Sequence, residues 1–132
     1  MSKYLLDTNI CIYFIKGKFN LKEKIIGIGM RNCYISEITV AELKFGAENS
    51  EQREKNKKTI EKFINSLQII PIISCLDIYA MEKTKLRKSG KIVDDFDLLI
   101  GSSAIANDMI LVTANEKHFE RLDRIKIENW TV

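Results

Sequence analysis

Apolar residues in this chain fall into two patterns. Short unbroken runs, "KYLL", "CYIS", "LQIIPII", "MILVT" and "IKIEN", alternate with stretches in which apolar positions recur every three or four residues. The runs have the length of buried strands, and the periodic stretches have the spacing of amphipathic helices. The first periodic stretch, "TNICIYFIKG", carries Ile10, Phe14 and Ile15 and ends at Gly17, and "LKEKIIGIG" forms a second short helix. In "TVAELKFGAE", Val40, Leu43 and Ala47 share a face. Residues from about 51 to 66 give the clearest amphipathic helix, because Ile60, Phe63, Ile64 and Leu67 follow the i, i+3, i+4, i+7 rule. "LDIYAMEKTKLRKSG" is a further helix, with Asp77 placed as its N-cap and Gly90 as its stop. "DFDLLIGSSAIAND" is apolar on nearly every side, and its small residues at 101–104 allow close approach, so it is expected to be central.

Strands alternating with helices over short connections predict parallel crossovers and an α/β sandwich of three layers. Pro71 lies in the third run and cannot donate a ladder hydrogen bond, so that strand belongs at a sheet edge. "VTANEKHFERL" reads as a strand end running into a polar turn, and it contains His118, the only histidine.

In an open parallel sheet, ligands bind outside the carboxyl ends of the strands. Asp7 follows the first strand, and Thr113 and Asn115 follow the fourth. Glu42 is expected in the first turn of the helix after strand two, and Asp97 in the first turn of the helix before strand four. Neighbouring first and fourth strands would bring these acids into one crevice. Clustered carboxylates repel one another, and a divalent cation relieves the repulsion. Mg²⁺ suits such oxygens, and bound there it supports hydrolysis of a phosphodiester. Each acid also has a simpler reading. Thr39-x-x-Glu42 matches a capping box, Asp94-x-x-Asp97 matches a helix start, and Asp7 is placed to cap the first helix.

Composition narrows the class without choosing the chemistry. A chain of 132 residues, 45% hydrophobic with a single proline, is expected to fold as one domain spanning 1–132. No apolar run has the length of a membrane span, and "MSKYLLDTN" meets an acid too early for a signal peptide, so the expected place is the cytoplasm, away from membranes. Cys11, Cys33 and Cys75 are odd in number and form no CxxC pair, which suits free buried thiols. A net charge of +3 does not by itself imply nucleic acid. The basic clusters "REKNKKTIEK" and "EKTKLRKSGK" suit either a phosphate-backbone surface or solvated helix faces.

Taken in order, "LLDTNI", "ITVAELKFGA", "DFDLLIGSSAIAND", "LVTANEKHF" and "IENW" resemble the PIN-domain ribonuclease toxins of VapC type over essentially the whole chain. The resemblance implies a PIN-like α/β/α sandwich with a parallel sheet ordered 3-2-1-4-5. It also implies an endoribonuclease dependent on Mg²⁺, with Mn²⁺ as a substitute, acting as the toxin of a type II toxin–antitoxin pair. Carried over residue by residue, Asp7 and Asp97 bind the metal, and Glu42 completes the catalytic acids. Asn9, Thr113 and Asn115 line the cleft. A small antitoxin protein and a homodimer are the implied partners beside RNA, with the dimer face on the helices flanked by Phe45 and Tyr79. Lys44, Arg87 and Lys91 are placed on the flanking RNA phosphates by position. Many members carry an acid where this chain has His118, and that departure leaves the histidine open as a rim contact, a ligand or an exposed residue. Two rivals differ in class. A signalling receiver domain requires an acid after strand three, where this chain reads "IIPIISC". A PIN-fold binding module with weak turnover would be explained by the missing fourth acid.

Overall fold

Leu5 and Leu6 are adjacent and both fully buried, which is possible only where a strand is covered on both faces. In this computed structural model, which describes residues 2–132, they belong to strand β1 (Tyr4–Leu6) at the centre of a five-stranded sheet. The other strands are β2 (Cys33–Ser36), β3 (Gln68–Ile70), β4 (Ile110–Val112) and β5 (Ile127–Glu128). All neighbours pair in parallel, in the order β3-β2-β1-β4-β5 that the resemblance implied.

The helices are α1 (Thr8–Ile15), α2 (Leu21–Ile28), α3 (Glu37–Glu48), α4 (Arg53–Asn65), α5 (Leu76–Lys88), α6 (Asp95–Ala106) and α7 (Glu116–Phe119). Side-chain alternation along the strands divides the core into two parts. Leu6, Ile35 and Val112 face Ile10 and Cys11 of α1, Leu21 and Ile25 of α2, Leu43 of α3 and Phe63 of α4. Leu5, Tyr34 and Leu111 face Leu86 of α5 and Leu98, Ile100 and Ala104 of α6, together with Phe119 and Leu122. The register agrees, since Leu5 stands opposite both Tyr34 and Leu111. Helices therefore cover both faces, giving the three layers read from the sequence. Among the described residues no helix is long and apolar enough to cross a membrane.

Four local details differ from the sequence reading. Strand β3 is an edge strand as expected, but it ends at Ile70, and Pro71 stands just beyond it at the head of a 3₁₀ turn, Ile72–Cys75. Because that turn runs directly into α5, Asp77 lies in the first helical turn and does not cap it. Helix α3 starts earlier than the periodicity suggests. Ser36 is its N-cap, accepting from the Ile38 N–H at 3.0 Å, so the capping box of Thr39 and Glu42 does not form and Glu42 lies in the second turn. Finally, the polar turn contains α7, which buries Phe119 against the central helix. Gly101 permits that contact, because a Cβ there would lie 2.5 Å from Leu122 Cδ1 and 3.2 Å from Phe119 Cδ1. Gly90 ends α5 as expected, with a φ of +72° that favours glycine.

Candidate active site

Chain order reverses at β1, with β2 on one side and β4 on the other, so the crevice beyond their carboxyl ends is the switch point where parallel sheets bind ligands. Asp7 occupies it. Its backbone N–H still reaches Val112 O at 2.9 Å, which holds the residue in line with the sheet. Its side chain caps α1, accepting the Thr8 N–H on Oδ1 at 2.8 Å, while Thr113 Oγ1 donates to Oδ2 at 2.8 Å. Thr113 is itself fixed, because its Oγ1 accepts the Asn115 N–H at 2.9 Å. Capping and membership of an acidic pocket are thus two roles of one carboxylate.

Glu42 arrives from α3. Its Oε1 accepts from Thr8 Oγ1 at 2.6 Å, and Thr8 Oγ1 lies 3.0 Å from Thr39 Oγ1. Asp97 arrives from the first turn of α6, whose N-cap is Asp94, accepting from the Phe96 N–H at 3.1 Å. His118, on α7, places Nδ1 3.3 Å from Asp97 Oδ2, and its side chain stays largely exposed. The contact sets it beside Asp97.

The electrostatics follow from burial. Asp7 is only 4% exposed, and burial pushes its carboxyl up to about 6. The Thr113 hydroxyl and the Thr8 N–H pull it back down, whereas the charges of Asp97 and Glu42 push it further up. Asp97 is also raised, by burial first; His118 lowers it and Asp94 adds to the rise. Two desolvated carboxylates that disfavour their own charge are a donor set that a hard cation would stabilise. Among the described residues no three His, Cys, Asp or Glu side chains converge into a ready-made cage. A pair of carboxylates suits Mg²⁺ in chemistry, since that ion keeps several waters and takes one or two carboxylates beside substrate phosphates.

The remaining residues divide. Asn115 is half-buried next to Thr113, whereas Asn9 is exposed on α1. The three basic residues do not share one surface. Lys44 lines a groove between α3 and α4 with Phe45 and Lys57, while Arg87 and Lys91 line a groove between α5 and α6 with Lys83 and Asp95. Lys83 is paired there with Asp95 at 2.9 Å. Sequence reading missed Thr8, whose only signal was its place directly after Asp7. It also missed Glu82, a buried carboxylate that accepts from the Asp123 N–H at 2.8 Å and from Lys85 at 3.1 Å, securing the turn after α7.

A PIN domain model matches residues 4–125. Ribonuclease VapC2 of Rickettsia felis is 37% identical over 96% of this chain and 97% of its own length. The tRNA(fMet)-specific endonuclease VapC of Shigella flexneri is 32% identical over 99% of this chain and 100% of its own. Among solved structures, the DNA-bound VapBC of Salmonella typhimurium superposes with a TM-score of 0.90 at 32% identity, covering 98% of this chain and 99% of that one. VapBC2 of Rickettsia felis bound to a DNA fragment from its promoter gives 0.84 at 36% identity, covering 96% and 98%.

Proposed function

We propose that this chain, which belongs to the PIN-domain family as a VapC-type ribonuclease toxin of a toxin–antitoxin pair, cuts RNA internally with a Mg²⁺ ion held by Asp7 and Asp97, Mn²⁺ serving as a substitute. The observation that carries this reading is Asp7, a buried carboxylate raised to about 6 at the β1–β4 switch, with two hydrogen-bond donors on it and two further acids within range. A bound Mg²⁺ supplies charge neutralisation at the phosphate and a more acidic water.

The chain's own groups supply the rest. Thr113 and the Thr8 N–H keep Asp7 ionisable despite its burial. Glu42 takes the proton of the attacking water. The new P–O bond forms as the P–O3′ bond breaks, leaving a 5′-phosphate and a 3′ oxygen that takes its proton from solvent water to become the 3′-hydroxyl. Arg87 and Lys91, exposed in the groove beside α6, hold flanking phosphates. Lys44 lies on a separate groove and would engage RNA only further along the strand. Asn9, Asn115 and His118 line the cleft.

The partner that restrains this activity is a cognate antitoxin, as in the VapBC complexes that the fold resembles. A homodimer would bury exposed apolar residues such as Phe45 on α3, or Ile69 on β3, Ile73 in the 3₁₀ turn, and Leu76 and Met81 on the same helix as Tyr79. The site of action is the cytoplasm, in keeping with three buried, unpaired cysteines. Initiator tRNA is the first substrate to try, given the name of the Shigella flexneri relative. The test is incubation of purified, antitoxin-free protein with RNA in Mg²⁺ and in EDTA. Cleavage in Mg²⁺ alone is expected, and absence of cleavage with Mg²⁺ and with Mn²⁺ would overturn the reading.

A further inference from the structure

The side chain of Thr8 is not accounted for by the roles above. Its Oγ1 lies 2.6 Å from Glu42 Oε1 and 3.0 Å from Thr39 Oγ1. A hydroxyl has one proton to donate and lone pairs with which to accept, whereas an ionised carboxylate only accepts. The Thr8 proton therefore goes to Glu42, and Thr39 must donate to Thr8. The chain has one direction, Thr39 to Thr8 to Glu42. Thr39 is fully buried and Thr8 is 9% exposed, so water offers neither hydroxyl a ready alternative partner. Thr8 also gives its backbone N–H to Asp7 at 2.8 Å. One residue thus holds two carboxylates from different elements, Asp7 through its main chain and Glu42 through its side chain.

We infer that Thr8, itself oriented by Thr39, is a positioning residue that commits Oε1 of Glu42 to a hydrogen bond and leaves Oε2 as the oxygen that takes the proton of the attacking water. This role rests on the ribonuclease reading. A glutamate side chain has rotamer freedom that a reactive group must lose, and a hydrogen bond from a buried, packed hydroxyl removes it. Outer partners of this kind typically change activity by about 10- to 100-fold when removed.

Thr8→Val keeps the shape and removes the donor, and Thr8→Ser keeps the donor. Thr39→Val removes the donor one step further back. Thr59→Val, on the exposed face of α4, is the control. In RNA cleavage by the purified protein with Mg²⁺, Thr8→Val is expected to lower kcat by about 10- to 100-fold with little change in KM. Thr8→Ser should restore most of the rate, and Thr39→Val should fall between. In the Glu42→Gln background, Thr8→Val should cause no comparable additional loss. A second readout needs neither metal nor substrate: the Glu42 side-chain carboxyl resonance, identified by its loss in Glu42→Gln, should move in Thr8→Val and Thr39→Val and stay in place in Thr59→Val. Wild-type kcat in Thr8→Val, or an unmoved carboxyl resonance, would overturn the positioning role while leaving the ribonuclease reading intact. Failure of the wild type to cleave RNA with either metal would overturn the reading, and this role with it.

Discussion

Thr113 Oγ1 donates to Asp7 Oδ2 across 2.8 Å, although the two residues are 106 positions apart. The bond joins the carboxyl ends of β1 and β4 and is the leading influence that lowers the Asp7 carboxyl against its burial. Thr113→Val removes it and leaves a buried acceptor short of a donor, a loss of about 1–3 kcal/mol in stability. Urea unfolding and cleavage should both weaken in Thr113→Val and recover in Thr113→Ser. Equal behaviour of the two variants would show that the hydroxyl does not matter.

Asp7→Asn should separate stability from activity. In the folded state the Asp7 carboxyl is raised from 3.8 to about 6, so the folded chain binds this proton more tightly than the unfolded chain does. Without metal, ionised Asp7 therefore costs stability above about pH 6, by about 2–3 kcal/mol, and the cost vanishes as pH falls below about 4. Unfolding in EDTA should show Asp7→Asn more stable than wild type at about pH 8, with the difference shrinking towards about pH 4. A variant no more stable than wild type at the higher pH would refute the assigned burial cost.

His118 lowers the Asp97 carboxyl. Its removal should raise that carboxyl further, so the acid limb of the pH–rate profile in His118→Ala should move to higher pH. On the plateau the loss should stay below the ~100-fold that deletion of a general acid or base typically causes. A larger loss there would make His118 a direct participant in the chemistry.

Glu82 accepts the Asp123 N–H from a buried position on α5 and thereby anchors the turn behind α7. Glu82→Ala should cost about 1–3 kcal/mol, because the amide loses its acceptor. Glu82→Gln keeps an acceptor and should lose less. Faster hydrogen exchange at Asp123 in the alanine variant alone would locate the effect. Uniform exchange across the chain would contradict it.

The elements were legible because each strand is a short apolar run, α3 and α4 each carry a consistent apolar face, and α6 stands out as apolar on nearly every side. Asp7 and Asp97 were legible because they stand next to such boundaries. Glu42 was placed one turn too early, since Ser36, the last residue of β2, also caps α3, and nothing in the sequence marks that double use. The α7 helix is only 4 residues long, too short for a period to show. Thr8 and Glu82 were hidden for a different reason. Their partners, Glu42 and Asp123, lie 34 and 41 positions away, and only the folded chain brings them together. Lys44, Arg87 and Lys91 looked equivalent as basic residues on helices, yet they line two separate grooves.

In the proposed mechanism Asp7 and Asp97 hold the ion while Glu42 takes the water's proton. That assignment is tested most directly by assaying wild type, Asp7→Asn, Glu42→Gln and Asp97→Asn side by side for RNA cleavage in Mg²⁺ and in EDTA, with Mn²⁺ binding measured on the same samples. Cleavage by wild type in Mg²⁺ alone is expected, with a loss of at least ~100-fold in each variant. Mn²⁺ binding should weaken in the two aspartate variants and persist in Glu42→Gln. Cleavage that survives EDTA, or that is equal in wild type and the aspartate variants, would contradict that assignment.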